Sequence, residues 1–133
     1  DKVHASDLNP ATKPLLEKNI APFIENLSEV RIDCIDALMI KNAEMLRDKF
    51  DLLLVNLPHN SLEHIFHLIP LLTNGASLLK GWAIIHEEDV DIIKENLHTI
   101  VIPHKPNLSE IIITPKRTYA PYLVYASIEL HFD

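Results

Sequence analysis

The stretch "FDLLLVNLPH" (Phe50 to His59) decides how the rest of the chain is read. Leu52 to Val55 is an unbroken apolar run, the pattern of a central parallel strand buried on both faces. Asn56 stands at the carboxyl end of that run, and Pro58 fixes the backbone just beyond it. In an open parallel sheet, ligands bind outside the carboxyl ends of the strands, near the point where strand order reverses. A neutral amide at that mouth is no base, but it donates and accepts at once, as orienting a purine or amide edge requires. Its alternative reading is a simple turn residue.

Downstream of this strand, Leu62, Ile65, Phe66, Ile69 and Leu72 recur at helical spacing until Asn74-Gly75 stops them. Ser77 to Ile85 reads as another strand, and Glu87 to Leu97 as a helix with acids at its positive end. "EIIIT" and "YLVYASIELHF" follow with only a Tyr-Ala-Pro turn between them, so they pair antiparallel.

Upstream, Val3 to Ala5 ends a strand, and a helix begins with Asn9 as cap and Pro10 in its first position. Leu16, Ile20, Phe23 and Leu27 form its apolar stripe, which Pro22 kinks or ends. "VRIDCI" alternates as a short strand, with Cys34 a buried strand residue, and "AEMLRDKF" is a helix leading into Leu52. The order β-α-β-α-β-α-β-α-β-β predicts an α/β fold: a doubly wound, mostly parallel Rossmann-like sheet with a C-terminal antiparallel hairpin.

Composition bounds the function. The 133 residues are 47% apolar and 23% charged, a globular mix sized for one domain. No apolar run approaches the roughly 18–20 residues that span a bilayer, and no secretory signal pattern opens the chain. A lone cysteine fits a reducing compartment, so a cytoplasmic setting is expected. The net charge of −7 weighs against a general nucleic-acid clamp. The compact basic cluster is Lys116-Arg117, with Lys105 nearby in sequence. With only two glycines, Gly75 and Gly81, the chain holds no glycine-rich phosphate loop.

Two further polar residues stand at strand ends. Asp7 either grips both hydroxyls of a nucleoside ribose or merely caps the turn into the next helix; position alone divides these evenly. Asp36 either accepts from an adenine amino group, between apolar neighbours, or caps the residues from Ala37 onward. His59, His64 and His67 raise a metal site, but no cysteine joins them and Glu63 points off their face, so none is expected and solvated helix histidines are the default. Of the three, His59 alone keeps a candidate functional role, because it directly follows the Asn-Leu-Pro turn.

The blocks "ASDLNPATKPLLEKNI", "DALMI", "FDLLLVNLPHNSLEHIFHLIPLLTNGA" and "EIIITPKRTYAP" resemble, in order, the archaeal and eukaryotic tRNA (guanine-N1)-methyltransferases. That family methylates the guanosine 3′ to the anticodon with S-adenosylmethionine. The resemblance implies that Asp7 and Leu8 hold the cofactor ribose side and that Asp36 and Ala37 hold the adenine side. It places Asn56 and Pro58 against the target guanine as the catalytic pair, with Asn56 also reaching the cofactor. tRNA would be bound mainly by regions upstream of Asp1, and no membrane is involved.

A sister enzyme of the wybutosine pathway transfers an aminocarboxypropyl group from the same cofactor. It usually carries Glu in the first block and lacks Asn-Leu-Pro, so Asp7 and Asn56 favour the methyltransferase. A non-catalytic scaffold is the third reading. The chain departs from the family in two places. The family's first strand, with its glycine loop, has no counterpart, and "NGASLLKGW" replaces a Gly-Gly-x-Ile-His-Tyr pattern. Residues 1–133 therefore read as one methyltransferase domain, incomplete at the N-terminus. Its expected strand order is 3-2-1-4-5-7-6 with the central strand absent, which would leave the strands at Val3 and Leu52 with unpaired edges.

Overall fold

A computed structural model describes residues 1–40 and 46–133. The chain divides into two compact units, residues 1–42 and 43–133, each with its own sheet.

In the first unit, β1 (Lys2–Ser6) pairs in parallel with β2 (Glu29–Asp33). Between them, Asn9 accepts a hydrogen bond from the Ala11 N–H through Oδ1 (3.0 Å) and opens a 3-10 turn, Pro10–Thr12. This turn runs into α1 (Lys13–Ile20). Pro22 has no N–H to continue the ladder, so the helix stops and tightens into a 3-10 segment, Ala21–Asn26. That tightening turns Phe23 off the expected stripe: it is 62% exposed, whereas Leu16, Ile20 and Leu27 are half-buried. A single helical turn, α2 (Ala37–Ile40), follows β2. Cys34 lies just past β2 and is exposed, not buried within the strand as the alternation suggested. The helix expected over "AEMLRDKF" falls partly outside the described residues. Its described end is turn, with Asp48 at φ 52 and Phe50 bridged to Leu72.

In the second unit the sheet order is β3-β4-β6-β5. Its strands are β3 (Leu52–Val55), β4 (Ser77–His86), β5 (Leu108–Ala120) and β6 (Leu123–Phe132). β3 and β4 are parallel, and the last two strands form the expected antiparallel hairpin, with β6 inserted against β4. The orders β1-β2 and β3-β4-β6-β5 match the two flanks of the expected order. The helices are α3 (Ser61–Leu68) and α4 (Val90–Val101). α3 ends earlier than its stripe, because Pro70 turns Ile69–Leu71 into a 3-10 segment well before Asn74-Gly75.

The core of this unit is made by Ile65, Ile69, Leu72, Leu79, Val101, Ile128 and Leu130, each essentially inaccessible. Gly81 faces Val55, where a Cβ would stand 3.3 Å from the Val55 carbonyl oxygen, so the two parallel strands and α3 close tightly there. β3 is parallel as expected but buried on one face only. Val55 is buried, while Leu52 and Leu54 are 52% and 60% exposed. Successive side chains of a strand point to opposite faces, so Val55 turns to the core while Leu52 and Leu54 lie on the open face. The second edge of β3 has no strand partner among the described residues.

Lys105, grouped with the basic cluster in sequence, is not on the surface. Its ammonium is buried and donates to Asp48 Oδ1 (2.9 Å), the Leu72 carbonyl (2.6 Å) and Asn74 Oδ1 (2.7 Å). A buried charge this well paired ties the α4–β5 connection to the segment before β4. Among the described residues no helix is long and apolar enough to cross a membrane.

Candidate functional site

In the first unit, Asp7 and Asp36 each follow the carboxyl end of a parallel strand, and the ladder brings those two ends side by side. The Asp7 N–H donates to the Asp33 carbonyl (3.3 Å), and Ser6 Oγ donates to the Ile35 carbonyl (3.0 Å). Cys34 Sγ lies 3.4 Å from the Leu8 carbonyl oxygen. Asp7 is exposed and its Oδ1 accepts from the Asn9 N–H (2.7 Å). Asp36 is half-buried and its Oδ1 accepts from the Leu38 N–H (2.8 Å). Both therefore perform the capping role weighed above. Capping uses one oxygen of each carboxylate, and about four lone-pair sites are available to an ionised carboxyl group. Leu8, 66% exposed, lays an apolar side chain beside Asp7, and Ala37, half-buried, opens α2 beside Asp36.

Behind these loops, Asp33 is held by two neighbours: Arg31 Nε donates to its Oδ2 at 2.6 Å, and His4 Nε2 lies 3.0 Å from the same oxygen. Partial burial pushes this carboxyl up. The bonds and charges of Arg31 and His4 outweigh it and hold Asp33 below the usual carboxylate range. A carboxylate committed in this way fixes the end of β2 and leaves Asp7 and Asp36 as the acceptors at the strand ends.

In the second unit, Asn56 leaves β3 exposed, and its side-chain amide is unengaged among the described residues. The turn around it is built firmly. The Pro58 carbonyl accepts from the Ile84 N–H (3.0 Å), fastening the loop to β4. The Leu57 carbonyl accepts from the Asn60 N–H (2.8 Å) and from Ser61 Oγ (2.9 Å). Such a turn presents Asn56 on a rigid base, as a group that orients a substrate requires.

His59 meets Tyr119 edge-on, with ring centroids 6.1 Å apart. The Asn-Leu-Pro-His and Tyr-Ala-Pro blocks thus come together at one end of this sheet. His64 differs from expectation. It is buried in α3, and its Nδ1 lies 2.9 Å from the Asn60 carbonyl, because its helix face turns onto the sheet. His67 is half-buried beside Phe66.

The hairpin tip adds Tyr122, which the sequence did not single out, and gives a partner to Arg117 of the basic cluster. Tyr122 is 87% exposed with φ 65, and Arg117 lies 5.1 Å from the centroid of the Tyr125 ring. Two tyrosines flanking Ala-Pro, beginning two residues after a Lys-Arg pair, were the available signal.

No protein-family model matches the sequence, and no curated protein does. Solved structures do match. M. jannaschii TYW2 in complex with AdoMet superposes with a TM-score of 0.73 at 18% identity, over 98% of this chain and 57% of that one. Trm5b from Pyrococcus abyssi gives 0.72 at 23% identity, over 97% and 37%. A complex of aTrm5 with tRNALeu gives 0.64 at 18% identity, over 99% and 35%. The chain thus spans between about a third and three fifths of these proteins' lengths. At such identities the likeness establishes the fold and not the activity: this chain has the Rossmann-like methyltransferase fold.

Proposed function

We propose that this chain is part of a tRNA-modifying transferase that binds S-adenosylmethionine and methylates N1 of the guanosine 3′ to the anticodon. The observation that carries the reading is common to three residues. Asp7, Asp36 and Asn56 each stand just past the carboxyl end of a parallel strand, and each keeps a polar atom that local capping does not consume. Strand ends of this kind are the ligand-binding positions of open α/β sheets. The similarity to structures of TYW2 with AdoMet and of aTrm5 with tRNALeu supports the choice of cofactor and of substrate class.

The residues fit the group. Asp7 accepts from the ribose hydroxyls, Leu8 and Ala37 lend apolar surface, and Asp36 accepts from the adenine amino group. S-adenosylmethionine supplies, when bound, a methyl group made electrophilic by its sulfonium. Asn56 orients the guanine edge, on a turn that Pro58 and Ile84 hold in place. The N1 proton passes to a base other than Asn56, whose amide is neutral. The runner-up is aminocarboxypropyl transfer at the same position, supported by the equally good superposition on TYW2.

Label transfer tests the choice. The full-length protein is incubated with unmodified tRNA and cofactor labelled either in the methyl or in the carboxyl group. Methyl label alone should reach the tRNA. Transfer of carboxyl label would establish the runner-up, and transfer of neither would remove both.

A further inference from the structure

We propose that the tip of the β5–β6 hairpin is a stacking platform for an unpaired base of the RNA substrate, flanked by a phosphate contact. This rests on the functional reading above and names the residues that grip the RNA next to Asn56.

The first observation is a misfit. Pro121 and Tyr122 are the two residues between β5 and β6. Proline in the first central position and a positive φ in the second are the signs of a type II turn, which calls for Gly or Asn in the second. A tyrosine stands there instead, at φ 65, and the residue is 87% exposed. Neither the backbone nor packing explains this ring. A use outside the fold does.

The second observation is the ladder. Its register slips between Pro115 and Arg117 and again between Thr118 and Ala120, so Lys116 and Tyr119 are the extra residues of two bulges. Bulges re-aim side chains and concentrate beside functional sites. Here they turn out an ammonium and a second ring, 54% exposed, which meets His59 of the Asn56 turn edge-on. Arg117 is braced over the Tyr125 ring at 5.1 Å.

Charge selects the occupant. Lys116 and Arg117 are the compact basic cluster of a chain with net charge −7, and they lie beside exposed aromatic rings. Cations that track a phosphate backbone, together with rings on which bases stack, make up the chemistry of single-stranded nucleic-acid binding. Tyr122 also borders an open hollow of about 360 Å³ lined by Glu87 and Glu88. Carboxylates there repel phosphate but accept from a base's amino edge. The base therefore lies on Tyr122, and the phosphate lies toward Lys116.

The test uses the full-length protein and an anticodon stem-loop RNA with guanosine 3′ to the anticodon. Tyr122→Asn keeps a residue that tolerates positive φ, so the turn survives. It should weaken RNA binding about tenfold, the scale of one lost base–aromatic stack, while S-adenosylmethionine affinity and the thermal midpoint hold. Lys116→Gln should lower the slope of log affinity against log salt by about one. Wild-type RNA affinity in Tyr122→Asn overturns the platform, as does a change of oligomeric state in place of an RNA effect. If wild type binds the RNA through Tyr122 yet leaves its guanosine unmodified, the platform stands and the functional reading falls. If methylation proceeds and Tyr122 is irrelevant to affinity, the reverse holds. Absence of any RNA binding removes both.

Discussion

The imidazole of His59 and the ring of Tyr119 meet at 77°, with centroids 6.1 Å apart, across sixty positions of sequence. This contact joins the turn that carries Asn56 to the hairpin that closes the sheet. Edge-on aromatic pairs contribute about 0.5–1.5 kcal/mol beyond the area they bury. Substituting Tyr119 with Leu should therefore cost the fold no more than about that, measured by denaturant midpoint. A loss well above it would mean that Tyr119 supports more than the His59 turn.

Asp7 separates cap from ligand through two substitutions. Asp7→Asn retains an oxygen for the Asn9 N–H and should leave the thermal midpoint unchanged. Asp7→Ala removes that oxygen as well. Both should weaken S-adenosylmethionine binding by about 1–3 kcal/mol, the scale of hydrogen bonds to a charged group. Calorimetry showing full affinity in Asp7→Asn would reduce Asp7 to a turn former.

Asn56→Ala should lower kcat while cofactor affinity stays within about twofold, the signature of an interaction made chiefly in the transition state. Its exposed amide carries no packing, so stability should hold. Loss of cofactor affinity with full turnover at saturation would reassign Asn56 to the cofactor.

Lys105→Met should destabilise the fold by about 1–3 kcal/mol, because it strands the buried Leu72 carbonyl. Asp48→Asn should cost more, since it keeps an oxygen for Nζ but leaves the buried Lys105 ammonium without its counter-charge. Equal losses in denaturant titrations of the two variants would contradict this division.

Stability should also carry a specific acid dependence. The Lys80 ammonium bonds Glu129 at 2.8 Å and, against partial burial, holds that carboxyl below its ordinary value of 4.5. A lowered folded pKa means that the unfolded chain takes up the proton first. The contribution is therefore present above about pH 4.5 and is lost as pH falls through the folded value. Lys80→Gln should flatten the fall in urea midpoint between about pH 5.5 and pH 3.5. An unaltered slope would remove the pair from the account.

What the sequence revealed follows the range of the forces involved. Local chemistry was legible: Asn9 and Pro10 opened a helix, Pro22 closed it, and the final hairpin paired as its alternation required. Two strand ends were legible too, since Asp7 and Asn56 directly follow β1 and β3. β2, by contrast, ends at Asp33, short of the Ile35 that the alternation suggested, and leaves Asp36 further along the loop. Contacts set by distant residues were not. Lys105 is buried because Leu72 and Asp48, 33 and 57 positions away, supply its acceptors. His64 is buried because its helix face turns onto the sheet, and Cys34 is exposed because β2 ends one residue before it. Tyr122 was hidden for another reason: a positive φ at a tyrosine contradicts the residue's own preference.

The most direct measurement is nucleoside-resolved mass spectrometry of unmodified tRNA incubated with the full-length protein and S-adenosylmethionine. The account predicts N1-methylguanosine at the position 3′ to the anticodon, and its loss when that guanosine is replaced by adenosine. An aminocarboxypropyl product, methylation at another position, or unmodified tRNA despite bound cofactor would contradict it.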